Sequence, residues 1–349
     1  MVDGGALDRL GREMRVRDMQ NVVLTKRFCL ALIGLAAVAG LAAPAAKADD
    51  YPNRPITIVV PFPPGGTNNT MARVVADKLS TALGQQVVVE NRSGAGSGTV
   101  ETAKIAHAAP DGYTILLAYT STLATAPSLY PHAGYDPRKD FAPIGLIASS
   151  PSLLDIHPSL GVKTVADLIA LIKKSDGTFQ YGVPGIGTVN HLAGAMFAKM
   201  TGLKMTPIPY RGTNALMTDL IGGHIKMAFA PIPVSRGNID SGRIHALAVT
   251  SPARYPLFPN LPTLAESGLA GFDVSLNYGL VAPAGTPRPI IERLSKELRA
   301  ALASEDVKKR LATEGAVPKP NTPDEYAAQI DQEEIKWAKL IKEIGIKPK

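Results

Sequence analysis

Thr57-Ile58-Val59-Val60-Pro61-Phe62-Pro63-Pro64-Gly65-Gly66-Thr67-Asn68-Asn69 runs on into Thr70-Met71-Ala72-Arg73-Val74-Val75. An apolar, β-branched strand stops at prolines, turns on two glycines and enters a helix through small polar residues. Glycines at the turn let backbone N–H groups approach a ligand without a Cβ in the way. A helix beginning there adds unpaired N–H donors and a partial positive charge. This is the layout of an anion cradle, although an ordinary strand-to-helix turn shows the same pattern. The rest of the chain has to decide between them.

Outward from this stretch the pattern repeats. Ala72, Val75, Leu79 and Leu83 share one helical face and Gly84 stands where a helix ends. Residues 86–90 form a short β-branched strand, 92–98 a second glycine-rich loop, 99–108 a helix and 114–118 a third apolar strand, followed by the polar loop Tyr119-Thr120-Ser121. Strands alternating with helices at this spacing predict a parallel sheet covered on both faces, with ligands beyond the carboxyl ends of its strands. The Ile-, Leu- and Pro-rich segment 141–156 reads as the chain leaving this first lobe.

A helix at 165–174, with Thr164 as its N-cap, leads to a second strand-loop-helix: strand 179–183, loop Pro184-Gly185-Ile186-Gly187-Thr188 and helix 189–200. Strands at 205–209, 226–230 and 244–250 and a helix at 214–221 complete a second βαβ-type unit, in which strand 226–230 leads to Pro231-Ile232-Pro233. The extended segment 273–281 returns to the first lobe. C-terminal helices follow, with Ser304 capping one and Thr322-Pro323-Asp324-Glu325 forming a capping box for the last. Two crossings between two α/β lobes predict a cleft closed by a hinge. The expected boundaries are 1–48 for an N-terminal extension and signal peptide, 49–146 plus 274–349 for lobe 1 and 147–273 for lobe 2.

Composition narrows the function classes. The chain has 349 residues, 45% hydrophobic and 19% charged, and a net charge of +7, of which the part after residue 48 carries +4. Its basic residues are dispersed instead of clustering with aromatics, so no nucleic-acid surface is indicated. Lys26-Arg27, an apolar run from Phe28 through Leu41, and Ala46-Lys47-Ala48 have the form of a secretory signal with cleavage after Ala48, and residues before Met19 read as an over-long start. The run is short of the ~20 residues of a membrane span. The expected location is the periplasm. Cys29, the single cysteine, lies inside this segment, so no disulfide or thiolate site is expected in the mature chain.

No serine has glycine at both offsets of a nucleophile elbow. The six histidines, His107, His132, His157, His191, His224 and His245, are scattered without metal-ligand spacing, and no phosphate-loop motif occurs. No cofactor, metal or catalytic residue is expected. Thr67, Asn68, Asn69, Thr120, Ser121, Thr188 and Asn190 instead offer neutral donors beside glycine-exposed backbone, which suits a carboxylate held in a dry cleft. For Thr188 and Asn190 helix capping is an equal alternative. Arg73 and Arg211 are further candidates, Arg73 also reading as a surface or structural ion-pair residue.

Taken in order, these residues resemble a known family. Phe62-Pro63-Pro64-Gly65-Gly66 leading to Ala72-Arg73, Val89-Glu90-Asn91-Arg92 with Gly94-Ala95-Gly96, Ala109-Pro110-Asp111-Gly112-Tyr113-Thr114, Gly185-Ile186-Gly187 with His191-Leu192-Ala193-Gly194, Tyr210-Arg211-Gly212, Asp219-Leu220-Ile221-Gly222-Gly223, Ala246-Leu247-Ala248-Val249-Thr250-Ser251 and Ala282-Pro283-Ala284-Gly285-Thr286-Pro287 together resemble the Bug family, the extracytoplasmic receptors of tripartite tricarboxylate transporters. The resemblance spans essentially the whole mature chain. It implies a type II periplasmic-binding-protein fold, no catalysis, a monomer, a small carboxylate ligand and membrane permease subunits as partners. Reporting to a sensor kinase, or an enzyme acting on small carboxylates, are the alternatives. Carried over, ligand contacts fall on Phe62, Gly66, Thr67, Asn68 and Asn69 on one side and Gly185, Gly187, Thr188 and Asn190 on the other, with Thr120 and Ser121 as the wall between.

Two departures bear on the ligand. Asn69 and Ala230 stand where the family commonly, or often, has aspartate. An ammonium-bearing ligand would favour a carboxylate partner, whereas a second anionic group would be repelled by one. The expectation is a di- or tricarboxylate or an aromatic acid, not an amino acid.

Overall fold

The first strand, β1 (Ile56–Val60), is buried along almost its whole length because it has a core on each side. Ile58 and Val60 point into one cluster with Val75, Leu79, Ile115, Leu117, Leu294 and Leu298, while Val59 packs with Leu116, Ile105 and Val281 on the other face. Alternation between two apolar faces is why the run reads as continuously hydrophobic. The computed structural model describes residues 51–62, 64, 67–92 and 98–346. The expected signal segment, Cys29, Gly65, Gly66 and Gly94-Ala95-Gly96 lie outside the described residues.

Helix α1 (Thr67–Leu83) follows β1 and ends at Gly84, whose φ of +68° fits a glycine terminator. Strand β2 (Val87–Asn91), helix α2 (Thr99–Ala106) and strand β3 (Thr114–Tyr119) complete a parallel β2-β1-β3 set. This is the parallel pairing expected from the alternation, and beyond it the sheet is mixed. The full strand order is β2-β1-β3-β9-β4-β7-β5-β6, and it changes direction at two long strands. Strand β4 (Phe141–Ile156) covers all of the segment read as a departing linker. Over Phe141–Pro151 it pairs antiparallel with β9 (Ser275–Pro283), and from Ser152 onward with β7 (Met227–Pro231) and β8 (His245–Val249). At ~3.3 Å per residue a strand of this length spans about 50 Å, enough to serve both halves of the sheet. Strand β9 is also antiparallel to β3.

The second half adds β5 (Gln180–Val183), parallel to β6 (Thr206–Pro209) and β7, with helices α4 (Val165–Lys173), α5 (Val189–Thr201) and α6 (Thr213–Ile221). Thr164 caps α4 in a full capping box with Asp167. One local expectation is corrected. Residues after Tyr119 are not a loop but a π-type helical turn, Ser121–Thr125, running into the short helix α3 (Ala126–Leu129), because Leu123, Ala124, Ala126 and Leu129 all have core to fill. Pro231-Ile232-Pro233 opens helix α7 (Ile232–Asp240), where proline fits the first turn.

Helices α8 (Arg288–Ala303) and α9 (Glu305–Thr313) cover the first half, and the two-residue strand β10 (Val317–Pro318) pairs with β4. Ser304 occupies the N-cap position of α9, but its hydroxyl donates back to Ala301 O instead of capping the new helix. The capping box at Thr322 and Glu325 forms as expected and starts the last helix, α10 (Pro323–Glu343). That helix crosses cores. Tyr326 and Ile330 pack with the first half, whereas Trp337, Leu340 and Ile341 pack with Phe197, Phe229 and Phe272 of the second. Sharing β4, β9 and α10, residues from Tyr51 onward form one compact unit.

Candidate functional site

The carboxyl ends of β1, β2 and β3 meet at Phe62. Asn91 Nδ2 donates to Phe62 O (3.0 Å), the Phe62 ring stands edge-on to Tyr119 at 5.0 Å, and Tyr119 lies parallel to Tyr278, its cross-strand partner on β9. Gly98, with φ +87°, precedes α2 here. A Cβ on it would come within 2.9 Å of the Phe62 ring, so the close approach needs glycine. Burial pushes the Tyr119 phenol up to about 12 and raises Tyr278 as well, so this aromatic wall is uncharged.

Helix α1 starts beside this wall with no acidic residue in its first turn, leaving its N-terminal partial charge unneutralised. Asn69 is buried, and its Oδ1 accepts from Arg73 Nε (3.3 Å) one turn along while the rest of Arg73 is exposed. Arg73 makes no ion pair among the described residues. It holds the oxygen end of the Asn69 amide, which leaves the Nδ2 hydrogens as the end available to an acceptor. Asn68 Oδ1 is buried with no partner among the described residues. Thr67 and Asn68 are half-buried at the helix start. Gly66 lies outside the described residues.

Thr120 and Ser121 follow β3. Thr120 is buried, and its Oγ1 accepts from Asn277 N (2.8 Å) and lies 3.4 Å from Ser275 O, which ties the wall to strand β9. Asn277 in turn donates through Nδ2 to Glu333 of α10. Burial raises Glu333 to about 7, against the opposing pull of Lys336. Ser121 is half-buried and its carbonyl accepts from Thr125 Oγ1 inside the helical turn. The turn and α3 then reach the second half of the molecule. A Cβ on Gly187, whose φ is +83°, would come within 2.8 Å of Leu129 Cδ1.

Around that contact, loop 184–188 is closed by its own hydrogen bonds. Thr188 is the N-cap of α5: its Oγ1 accepts from His191 N (3.2 Å) and donates to Gly185 O (2.8 Å). Gly187 N donates to His191 Nδ1 (3.1 Å). Asn190 is 7% exposed and donates through Nδ2 to Ser152 Oγ on β4 (2.9 Å) and Phe229 O on β7 (3.1 Å). Capping thus describes Thr188, while Asn190 bolts the helix to the long strand. Among the described residues, the donors left at this junction are the first-turn amides of Val189 and Asn190, and α5 has no acidic residue in its first turn. Ala230 is fully buried beside Leu153, and Arg211 is exposed at the start of α6.

The structure therefore places Phe62 against Tyr119, with Thr120 and Ser121 following directly in the chain, and sets Leu129 of α3 against Gly187 in the loop that carries Gly185 and Thr188. Sequence reading missed His191, Asn277 and Ser152. For His191 a signal existed, since Thr188-x-x-His191 has the frame of a capping box. Asn277 and Ser152 carried none. Among the described residues no three His, Cys, Asp or Glu side chains gather as metal ligands. What the arrangement can do is hold an anion between two helix N-termini with neutral donors.

A family model described as tripartite tricarboxylate transporter family receptor matches residues 71–346. The chain is 39% identical to protein BugT of Bordetella pertussis, over 92% of this chain and 98% of that one. Among solved structures, a Rhodopseudomonas palustris protein with adipate matches at TM-score 0.75 and 36% identity, covering 86% of this chain and all of the other. MatC of the same organism, with bound malate, matches at TM-score 0.70 and 31% identity, covering 83% of this chain and 100% of that one.

Proposed function

Because the chain belongs to the tripartite tricarboxylate transporter receptor family, we propose that it captures a small organic acid without an ammonium group, a di- or tricarboxylate or an aromatic acid, and delivers it to membrane permease subunits. Receptors of this family are periplasmic solute-binding proteins. One carboxylate sits at the start of α1, reached by Asn68 and by the amide hydrogens of Asn69, and is met from the other side by the first-turn amides of α5. Phe62 and Tyr119 line the floor, and Thr120 and Ser121 the wall. The lobes are 49–146 plus 274–349 and 147–273, closing about β4 and β9, with the end of α10 seated in the second lobe's core.

The observation that carries this reading is Asn69, a neutral amide anchored by its oxygen so that donors remain for an anion. Adipate and malate are the ligands of two related proteins, and both carry two carboxylates and no ammonium.

A thermal-shift panel tests it. Adipate, malate, citrate and benzoate are run against a set of amino acids. A ligand at about one hundred times its Kd adds ~2.7 kcal/mol, which in a domain this large is a rise on the order of 5–10 °C. Stabilisation by at least one organic acid and by no amino acid is expected; stabilisation by amino acids alone sinks the proposal.

A further inference from the structure

Gly187 was expected to offer its backbone to a ligand, and its N–H is instead directed at an imidazole. His191 is the third residue of α5, the position whose side chain in a capping box reaches back to the helix start. Here the usual carboxylate is replaced by a ring, and the ring nitrogen takes the N–H one residue earlier, at Gly187 (3.1 Å). The same residue's backbone N–H goes to Thr188 Oγ1, which donates to Gly185 O. Three hydrogen bonds thus lock residues 185–188 onto the first turn of α5. His191 is 4% exposed. An aliphatic residue there would leave a buried N–H without an acceptor, and a cationic ring has no acceptor to offer.

We infer that His191 is the positioning residue of the second binding loop: its neutral Nδ1 holds the Gly187 N–H away from the ligand and so presents the first-turn amides of α5 to the carboxylate. This rests on the proposed function only in taking loop 184–188 as one side of the site. An acceptor at Nδ1 places the ring's proton on Nε2. Burial pushes the imidazole down to about 4, so the bond persists from neutral into mildly acidic conditions. The titratable groups sharing its surroundings are Tyr181 from β5, Lys199 from α5 itself and Glu343 from α10; these four line one groove of about 580 Å³, in which Lys199 and Glu343 pair with each other.

Two variants separate the acceptor from the ring's bulk. His191→Asn sets an amide oxygen close to the place of Nδ1, and His191→Phe keeps a ring without an acceptor. In 1H–15N spectra of the ligand-free mature protein, the Gly187 amide should be protected from exchange in the wild type and in His191→Asn, and unprotected in His191→Phe. Acidification of the wild type should move the Gly187 resonance with the same midpoint as the His191 ring, and leave it still in His191→Asn. Adipate affinity by calorimetry should fall tenfold or more in His191→Phe and stay within about threefold in His191→Asn, by analogy with the tens-fold cost of one lost buried hydrogen bond. Unchanged Gly187 protection in His191→Phe overturns the inference, as does equal loss in both variants. If His191→Phe does not fold, the wild-type titration against His191→Asn decides. If the wild type binds no organic acid the proposed function fails, while the amide measurements still decide whether His191 holds the loop.

Discussion

The junctions at Phe62–Asn69 and Val183–Asn190 share one sequence layout, an apolar strand, glycines and then a helix with an uncharged first turn, yet their polar groups are in opposite conditions. At the second, Thr188, Gly187, His191 and Asn190 all have protein partners. At the first, the Asn69 oxygen takes a 3.3 Å bond from an exposed arginine, and no described residue accepts from the side-chain amide hydrogens of Asn68 or Asn69, which are the groups a carboxylate can take up. A junction whose groups are satisfied is rigid framework, and one whose groups are not is poised to be completed by a ligand. Changes at the second junction and its supports should therefore cost stability, with affinity lost through the disturbed loop, and changes at the first should cost affinity alone.

The largest effect belongs to the framework. Asp155 lies on β4 behind the second junction, fully buried, bonded by the Ser235 hydroxyl at Oδ2 and unpartnered at Oδ1 among the described residues. Burial raises it from 3.8 to about 7. The folded state therefore keeps a proton that the unfolded chain releases, so its contribution is complete below pH 4 and lost as pH rises towards 7, a change on the order of 4 kcal/mol. Asp155→Asn, neutral at every pH, should match the wild type in melting temperature near pH 4 and exceed it at pH 8. Equal melting temperatures at both pH values remove Asp155 from the framework.

Next in size is Asn190→Ala. It leaves Ser152 Oγ and Phe229 O without their donor and opens a small cavity, which should lower stability by about 3 kcal/mol and the melting temperature by on the order of 10 °C. A variant that melts normally but binds poorly would move Asn190 from the framework to the binding surface. Asn69→Asp is the converse experiment: a carboxylate beside a bound anion should weaken dicarboxylate binding at least tenfold, ~1.4 kcal/mol or more, with melting shifted by little. Unchanged affinity in calorimetry would put Asn69 outside the site. The smallest effect is expected at Asn68→Ala, an affinity loss of about fivefold, ~1 kcal/mol, with a melting temperature equal to the wild type or slightly higher, because a buried oxygen without a partner is removed. A clear drop in melting temperature there would erase the contrast between the two junctions.

Much of this was readable from local chemistry. The strand-glycine-helix junctions, the terminator at Gly84, the capping boxes at Thr164 and Thr322 and the two-lobe alternation all depend on residues within a few positions of one another. The direction of β9 and the shared length of β4 do not. Segment 141–156 reads as the chain leaving the first lobe, but that it does so as one long strand depends on partners far away in sequence, among them Ser275, Pro231 and Val249. Local reading offered Thr120 as a donor and left Asn190 between donor and helix cap. Their partners, Asn277, Ser152 and Phe229, come from separate strands, and no nearby spacing announces them.

The sequence by itself determined where the two glycine junctions stand, that each opens a helix without a negative charge, and that Asn69 is an amide. Those properties follow from residue type and neighbouring spacing alone. Tertiary structure decided which donors remain beyond the local bonds of Asn69 to Arg73 and Gly187 to His191, each four residues apart. It gave the Thr120 hydroxyl to Asn277 and the Asn190 amide to β4 and β7. A hydrogen is available to a ligand only when no protein acceptor has claimed it, and that is settled by which elements pack together.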